Sequence, residues 1–299
     1  MTDQAIGTPA PKTPTTIGPL RRIGRAIGLL RESRIGMIGA AILVFWVTMA
    51  IIAPLLPLYP PNDPIVPFQG PLATAPDGGT LWLGTDHKGR DLLSRIIWGS
   101  QRVLLWASAA TIVAYVVGMI FGVMSGYLGG WWDEIISFGA NVLLSFPVMV
   151  LYLIIITYLG ASGLNVVIAV TFATAPAIMR IVRGLVLDLK TRDYIAAAEV
   201  RGERPLYIML VELLPNARGP LIVDACLRLG YTTITIALLG YLGIGLPPPD
   251  PDWGQMIADA QPLGSFGANA AIWPALCISS LVLGFNLLAD GMREISLRD

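Results

Sequence analysis

Long apolar segments separated by short polar ones dominate the pattern along this chain. A run of about 20 apolar residues is long enough to cross a bilayer as a helix, and no charged residue occurs between 135 and 179. That run is too long for one helix, and a turn at residues 160–163 divides it. The pattern predicts an all-α polytopic membrane protein with these six spans: 35–56, 103–127, 135–159, 164–186, 220–245 and 271–289.

Glycines and prolines inside the predicted spans indicate how the helices pack. Gly118, Gly122 and Gly126 recur every four residues, and small residues on one face let helices approach closely in lipid. Pro147 and Pro176 lie inside the third and fourth spans and predict kinks. Such kinked helices are compatible with a pathway lining and equally with plain packing.

The amino-terminal stretch, residues 1–34, is polar, rich in proline and then basic. It predicts a disordered cytoplasmic tail, whose arginines would lie on an anionic membrane surface or stay solvated. No cleavage site of small residues follows, so we interpret residues 35–56 as an uncleaved first span. The remainder, residues 35–298, forms one transmembrane domain.

Composition supports the membrane assignment and excludes several classes of function. The chain has 299 residues, of which 55% are hydrophobic and 13% charged, against about 25% charged in soluble domains. Its net charge is zero, so nothing indicates a nucleic-acid surface. Two cysteines in apolar runs and a single histidine predict neither a disulfide nor a metal site.

A polar stretch between the fourth and fifth spans, residues 191–215, predicts two short helices outside the bilayer. Asp193 would cap the first helix, Gly202 would supply the turn, and Pro205 suits the first turn of the second helix. Pro215 would end the second helix. An apolar face that needs a partner follows from the spacing of Leu206, Met209, Leu210 and Leu213.

In a second polar stretch, residues 83–102, six charged or titratable side chains lie between residues 86 and 95, close to Gly84 and Gly89. An amphipathic interfacial helix is predicted after Asp91. Asp86, His87 and Asp91 permit a catalytic interpretation, but a loop held by Asp–Arg pairs fits the composition better. A separate pair, Asp224 and Arg228, lies four residues apart inside the fifth span and predicts an intramembrane ion pair.

Loop 191–215 resembles the "EAA" loop of ABC importer permeases, in which Glu-Ala-Ala is followed by Gly and then by Leu-Pro. The matching residues here are Ala197, Ala198, Gly202, Leu214 and Pro215. Two positions depart from that pattern. Ala196 replaces the family's glutamate, and Glu199 replaces a residue that is usually basic.

Loop 83–102 is similar to a signature of the dipeptide, oligopeptide and nickel branch of these permeases. The matching residues are Gly84, Thr85, Asp86, Gly89, Arg90, Asp91, Ser94 and Arg95. Trp253 and Gly254 match a second signature of that branch, and Asp290, Gly291 and Arg293 match a third. The four matching stretches follow the family's order along the chain.

The resemblance implies the smaller permease subunit of an ABC importer for peptides or similar solutes, with the type I importer fold. It implies a second permease, two ATPase subunits and an extracytoplasmic solute-binding protein as partners, besides membrane lipid. This chain carries no phosphate-binding loop. It is therefore expected to be no enzyme and to hold no cofactor, with ATP and Mg²⁺ bound by the partner subunits. Loop 191–215 would couple the permease to an ATPase.

Lysines and arginines indicate the orientation. With both termini in the cytoplasm of a bacterium, the cytoplasmic segments hold most basic residues, whereas Lys88, Arg90, Arg95 and Arg102 are exceptions on a long outer loop. Two other classes remain open at this point. A self-sufficient ion-coupled transporter usually buries ionisable residues at midplane, and a membrane enzyme would need the cluster from Asp86 to Asp91.

Overall fold

The computed structural model describes residues 33–296, which form a bundle of long helices. The helices are α1 Arg34–Ile52, α2 Leu92–Leu128, α3 Gly130–Leu144, α4 Val148–Leu159, α5 Gly163–Leu189, α6 Asp193–Val200, α7 Pro205–Tyr207, α8 Leu214–Tyr241, α9 Trp253–Ala260 and α10 Ala268–Ser296. Short 3₁₀ turns occupy Ala53–Leu55 and Gln261–Phe266, a π-helical turn occupies Ile208–Leu213, and a hairpin pairs β1 Ala73–Thr74 with β2 Thr80–Leu81. The predicted tail, residues 1–34, lies outside the described residues except for its last two positions.

Within residues 33–296, five helical runs are long and apolar enough to cross a membrane, and a bent pair of helices would make a sixth. The bent pair is α3 and α4, which meet at an angle of 89°. The sequence predicted one kinked span over 135–159. The chain instead leaves helical conformation between Leu144 and Val148, because Pro147 takes an extended backbone and precedes the new helix. Pro176, by contrast, lies inside an unbroken α5.

Helix α2 extends further than predicted. The expected interfacial helix after Asp91 and the second span are one continuous helix of 37 residues, about 55 Å long. Asp91 caps its first turn by accepting a hydrogen bond from the backbone N–H of Ser94 at 2.8 Å. Helix α2 thus connects loop 83–102 at one end of the bundle with loop 191–215 at the other.

The predicted glycine face of α2 packs against α5. A β-carbon added at any of the three glycines would lie 2.6–2.8 Å from a side chain of α5. The facing pairs are Gly118 with Ile178, Gly122 with Val182, and Gly126 with Val186. This close approach holds α2 and α5 in a fixed relative position, and the residues of both loops lie at the ends of these two helices.

The first and last helices pack in the same way. Gly39 of α1 lies against the backbone of α10 at Gly284 and Leu288, and Gly291 of α10 lies against Gly36. Trp46 joins this interface to the rest of the bundle through its edge contact with Trp253. Gly291, one of the residues that match the third signature, is therefore a helix-packing position.

The sequence predicted that the second helix of loop 191–215 ends at Pro215, and this prediction is wrong. The backbone is helical without interruption from Pro205 to Tyr241. A π turn over Ile208–Leu213 replaces the usual bonding, and the N–H of Leu214 bonds to the carbonyl of Met209 five residues earlier. Pro215 therefore lies at the start of α8, directly after the π turn, inside a helical run that continues past it.

Candidate functional site

Loop 83–102 is built around the ion pair of Asp86 and Arg90. One carboxylate oxygen of Asp86 accepts hydrogen bonds from the backbone N–H groups of Lys88 and Arg90 at 2.8 and 2.9 Å. The other accepts from Nε and Nη2 of Arg90 at 2.7 and 2.6 Å. Arg90 also reaches Asp259 on α9 at 3.4 Å. Both Asp86 and Arg90 are buried, which confirms the expected Asp–Arg pairing.

Other signature residues tie the preceding loop to the start of α2. The Thr85 hydroxyl donates to the carbonyl of Val66 at 2.6 Å, and the Ser94 hydroxyl donates to the carbonyl of Tyr59 at 2.6 Å. Arg95 is almost fully buried and donates from Nη1 to the carbonyl of Pro61 at 2.9 Å. Gly84 and Gly89 take positive φ angles of 83° and 81° at the two turns.

The second signature packs onto the first. The Trp253 indole is fully buried and donates to the carbonyl of Ile96 at 3.0 Å. Gly254 lies against the carbonyl of Ala237, with no room for a side chain. Asp252 caps α9 through the N–H of Gln255 at 3.0 Å, and its other carboxylate oxygen is buried without a hydrogen-bond partner. Burial accordingly raises the pKa of Asp252 to about 6.

The side chains of this cluster stabilise the fold and do not form a catalytic centre. The carboxylates of Asp86 and Asp259 face arginine or lysine side chains, and Asp91 faces a helix N-terminus. The cavity beside Asp86, Arg90 and Asp259 measures about 10 Å³, which admits at most one water molecule. Among the described residues no group of His, Cys, Asp and Glu could hold a metal ion.

Loop 191–215 differs, because part of its apolar surface is uncovered. Helix α6 ends at Val200, and Gly202 follows in the turn with a φ of +74° and nothing within 4 Å of its absent β-carbon. Leu206 is 62% exposed and Leu210 is 54% exposed, while Val200 at the end of α6 is 89% exposed. Ala197 and Pro215 are exposed and Leu214 is half-buried. The two helices therefore present separate apolar side chains on either side of Gly202.

Two residues of the predicted apolar face are not part of this surface. Met209 and Leu213 are buried in the core with Ile195 and Ala198, so the expectation that Met209 lies exposed is wrong. The π turn lengthens the local helical repeat and places Leu210 and Val211, rather than Met209, outward. Asp193 starts α6 but makes no capping bond through its side chain.

The inner side of loop 191–215 is fixed to the end of α2. Lys190 donates from Nζ to the carbonyl of Tyr127 at 2.7 Å, and the Tyr127 hydroxyl donates to Glu199 at 3.3 Å. Glu199, a departure from the family pattern, thus has a partner within this chain. Ala196, the other departure, is exposed. The loop is held rigidly on one side and is open on the other.

The predicted ion pair inside the fifth span is formed. Nε of Arg228 donates to Asp224 at 2.8 Å. The Tyr115 hydroxyl of α2 also donates to Asp224, a contact that was not predicted from the sequence. The bidentate pair of Arg183 and Asp133, with both hydrogen bonds at 2.6 Å, was not predicted either. No spacing in the sequence signals contacts between residues 109 or 50 positions apart.

Comparison with known families agrees with these motif matches. Residues 118–299 match the family described as "Binding-protein-dependent transport system inner membrane component". Residues 23–73 match the "N-terminal TM domain of oligopeptide transport permease C". Together the two matches include loop 191–215 and the second and third signatures.

Individual relatives cover most of the chain. The dipeptide transport system permease protein DppC of Alkalihalophilus pseudofirmus is 33% identical over 295 residues, which is 96% of this chain and 94% of that protein. The glutathione transport system permease protein GsiD of Pectobacterium atrosepticum is 38% identical over 213 residues, 71% of each chain.

The fold also matches a solved importer. A chain of the inward-facing MetNI methionine ABC transporter superposes with a TM-score of 0.58 at 21% identity, over 70% of this chain and 98% of that one. This match confirms the expected type I importer permease fold. The chain belongs to the family of binding-protein-dependent transport system inner membrane components, the membrane-spanning permease subunits of ABC importers.

Proposed function

We propose that this permease moves short peptides into the cell and that it works with a second permease, two ATPase subunits and an extracytoplasmic solute-binding protein. The names of its relatives, which transport dipeptides, di- and tripeptides or glutathione, support a peptide solute. ATP and Mg²⁺ are bound by the ATPase subunits. Uptake of a labelled dipeptide panel by the reconstituted complex, with ligand binding by the purified solute-binding protein, tests this proposal.

Loop 191–215 is the surface that docks on an ATPase subunit. The observation that carries this assignment is the exposure of Val200, Leu206 and Leu210 at the rim of a loop whose inner side is fully packed. Burying each such side chain against a partner contributes about 1.5–3 kcal/mol. Gly202 sets the angle between the two helices that would enter the partner's groove.

A continuous helical backbone connects this docking surface to the membrane-spanning part of the chain. The helical run from Pro205 to Tyr241 joins Leu206 and Leu210 directly to Asp224 and Arg228. A helix moves as a rigid element, so a push on the loop displaces the intramembrane pair with it. Alternating access then follows when the ATPases close on ATP and rock the two permeases against each other.

The orientation that this mechanism needs has both termini and loop 191–215 in the cytoplasm. Basic residues near that loop support it, among them Lys190, Arg192, Arg201 and Arg204, and the loop from Leu242 to Asp252 has none. Cysteine labelling at positions 69, 190 and 261 in intact cells tests the orientation. External labelling at 190, or protection at 69, would contradict it.

A self-sufficient ion-coupled transporter is the rival function, and the half-buried Asp224 inside the fifth span is the observation that favours it. Coupling carboxylates in such carriers must gain and lose an ion. Asp224 is instead held by Arg228 and by the Tyr115 hydroxyl, which favours a fixed charge. Co-purification of ATPase subunits with this chain supports the importer, whereas solute uptake by this chain alone supports the rival.

A further inference from the structure

A small polar cavity lies between the three long helices α2, α5 and α8, beside the intramembrane pair. Its volume is about 30 Å³, which suits a group the size of a carboxylate rather than a whole peptide. Six of the eight lining side chains carry a hydroxyl or a guanidinium. The lining residues are Thr111, Ala114, Thr174, Ile178, Arg228, Tyr231, Thr232 and Thr235.

The polarity of this cavity is a local property and not a general feature of the bundle. A larger cavity of about 570 Å³ lies between α2, α3 and α5. Apolar side chains surround it, and Thr171 is the one hydroxyl among its twelve lining residues. Two cavities that share helices α2 and α5 therefore differ sharply in the chemistry that each can accommodate.

Arg228 supplies the charge in the polar cavity. A guanidinium has five N–H donors, and Asp224 takes the one on Nε. Even with a contact to Tyr115, at most two of the five N–H groups of Arg228 are engaged. The terminal nitrogens of Arg228 remain able to bind an acceptor. An arginine fork matches a carboxylate with two parallel hydrogen bonds, so Asp224 at Nε and a second carboxylate at the terminal nitrogens are geometrically compatible.

The hydroxyls around Arg228 complete the site. The Thr174 hydroxyl donates to a carbonyl of its own helix at 2.7 Å and thus keeps lone pairs free to accept. The Thr235 hydroxyl donates to the carbonyl of Tyr231 at 3.0 Å and also contacts the Tyr152 hydroxyl. Thr111 donates to Thr232 at 3.1 Å, which links α2 to α8. The cavity therefore combines a cationic donor with nearby acceptors, as the carboxyl end of a peptide with its adjoining N–H requires.

We infer that this cavity is a subsite of the transport path that binds the free carboxylate of the solute through Arg228. The inference rests on the proposed peptide solute for its choice of ligand. Because Arg228 belongs to the helical run that begins at loop 191–215, carboxylate binding and ATPase docking act on one rigid element.

The test is protection of an engineered thiol from alkylation in the assembled importer in lipid nanodiscs, without the solute-binding protein. Cys226 and Cys277 are replaced by alanine, and Thr235→Cys places a thiol on the cavity wall. Millimolar alanyl-alanine is expected to slow labelling about fivefold or more, and its carboxyl-terminal amide less than about twofold, because the amide cannot take the bidentate arginine contact.

Two variants make this test specific. Thr171→Cys, which replaces another hydroxyl that donates to a carbonyl four residues earlier but lines the apolar cavity, should show equal labelling with and without dipeptide. The pair Arg228→Gln with Asp224→Asn should abolish the difference between dipeptide and amide at Thr235→Cys. If Thr235→Cys does not assemble, Thr174→Cys on the opposite wall serves the same purpose.

Equal protection by the dipeptide and its amide would overturn the inference, as would protection that survives Arg228→Gln with Asp224→Asn. The labelling needs no transport, so it can be measured in variants that are defective in uptake. Failure of the proposed function would show separately, as wild-type complex that takes up no peptide.

Discussion

The two loops that match family patterns lie at opposite ends of helix α2, and they differ in what covers them. In loop 83–102 the matched side chains are buried and bonded to one another, with Asp86 and Arg90 at the centre. In loop 191–215 the inner side is equally well packed, but Val200, Leu206 and Leu210 project outward. Matching residues in the first loop hold the fold, whereas the second loop leaves apolar side chains uncovered, and these form the surface that we propose for an ATPase subunit.

This difference gives a rule for interpreting such signatures. Charged residues in a matched motif suggest a catalytic or binding role, yet here Asp86, Arg90 and Asp91 are bonded to partners within the chain. The apolar motif is the one left incomplete. Substitutions in loop 83–102 should therefore destabilise the permease, whereas substitutions in loop 191–215 should uncouple it from ATP hydrolysis. The following changes are ordered by their expected effect on stability.

Arg90→Gln should have the largest effect. It leaves the buried carboxylate of Asp86 without its main cation, and breaking a buried pair from one side costs about 3–5 kcal/mol. We expect little assembled permease in the membrane, measured by immunoblot and by size-exclusion chromatography of the solubilised complex. Lys88→Gln is the control, because Lys88 is half exposed and 3.7 Å from Asp259. Normal assembly of Arg90→Gln would contradict the structural role of this loop.

Asp224→Asn should have the next largest effect, because Asp224 is more accessible than Asp86. An unpaired charge near the bilayer centre costs about 2.5–3.5 kcal/mol on insertion scales, and less near an interface. Asp224→Asn should therefore impair assembly more than the double change with Arg228→Gln, which removes both charges. Assembly is measured in membranes that express each variant. A double variant as poor as the sum of the single variants would contradict the pairing.

Asp252→Asn should stabilise the permease at neutral pH. The pKa of Asp252 is raised to about 6, so the folded state binds a proton more tightly than the unfolded chain. Wild-type stability should thus rise as pH falls from about 6 towards 4, and the buried charge costs about 1–3 kcal/mol above pH 6. Asparagine keeps the capping oxygen and removes the charge.

The measurement for Asp252→Asn is the thermal denaturation midpoint of the detergent-solubilised complex at pH 8 and at pH 4.5. We expect a higher midpoint than wild type at pH 8 and little difference at pH 4.5. Asp259→Asn is the matched control with the opposite sign, because Asp259 has cationic partners to lose. A midpoint lowered by Asp252→Asn at pH 8 would show that its charge is stabilising.

Much of the fold follows from the sequence, because hydropathy and length fix where helices can cross a bilayer. The glycine spacing of α2 correctly predicted its packing face, and residues four apart correctly predicted the pair of Asp224 and Arg228. Both signals are local. Contacts such as Tyr115 with Asp224 depend on how two helices are placed side by side, which no local pattern specifies.

The errors have the same origin. The sequence predicted an interfacial helix after Asp91 and a separate span from residue 103, but α2 runs through both, and Arg95 within it is buried and donates to the carbonyl of Pro61. Pro215 suggested a helix end, but the helix continues through it after a π turn over Ile208–Leu213. That turn also rotates Met209 inward. In each case tertiary contacts or a rare turn overrode a rule that holds for isolated segments.

Gly202→Asp should have the smallest effect on stability, since nothing lies within 4 Å of its absent β-carbon and only the positive φ opposes a side chain. We expect a cost of about 1 kcal/mol. Gly78→Asp is the matched control, because Gly78 has the same left-handed conformation and equally open surroundings in the hairpin turn. Ala196→Glu, at a departure from the family pattern, should also be tolerated.

The central claim is that loop 191–215 couples the permease to an ATPase. The direct measurement is ATP hydrolysis stimulated by loaded solute-binding protein, together with subunit retention and uptake, in complexes carrying Gly202→Asp, Gly78→Asp or Ala196→Glu. The account predicts that Gly202→Asp leaves an inserted, folded permease that loses stimulation or releases the ATPase, while the other two variants behave as wild type. Normal stimulation and uptake in Gly202→Asp would contradict the docking role.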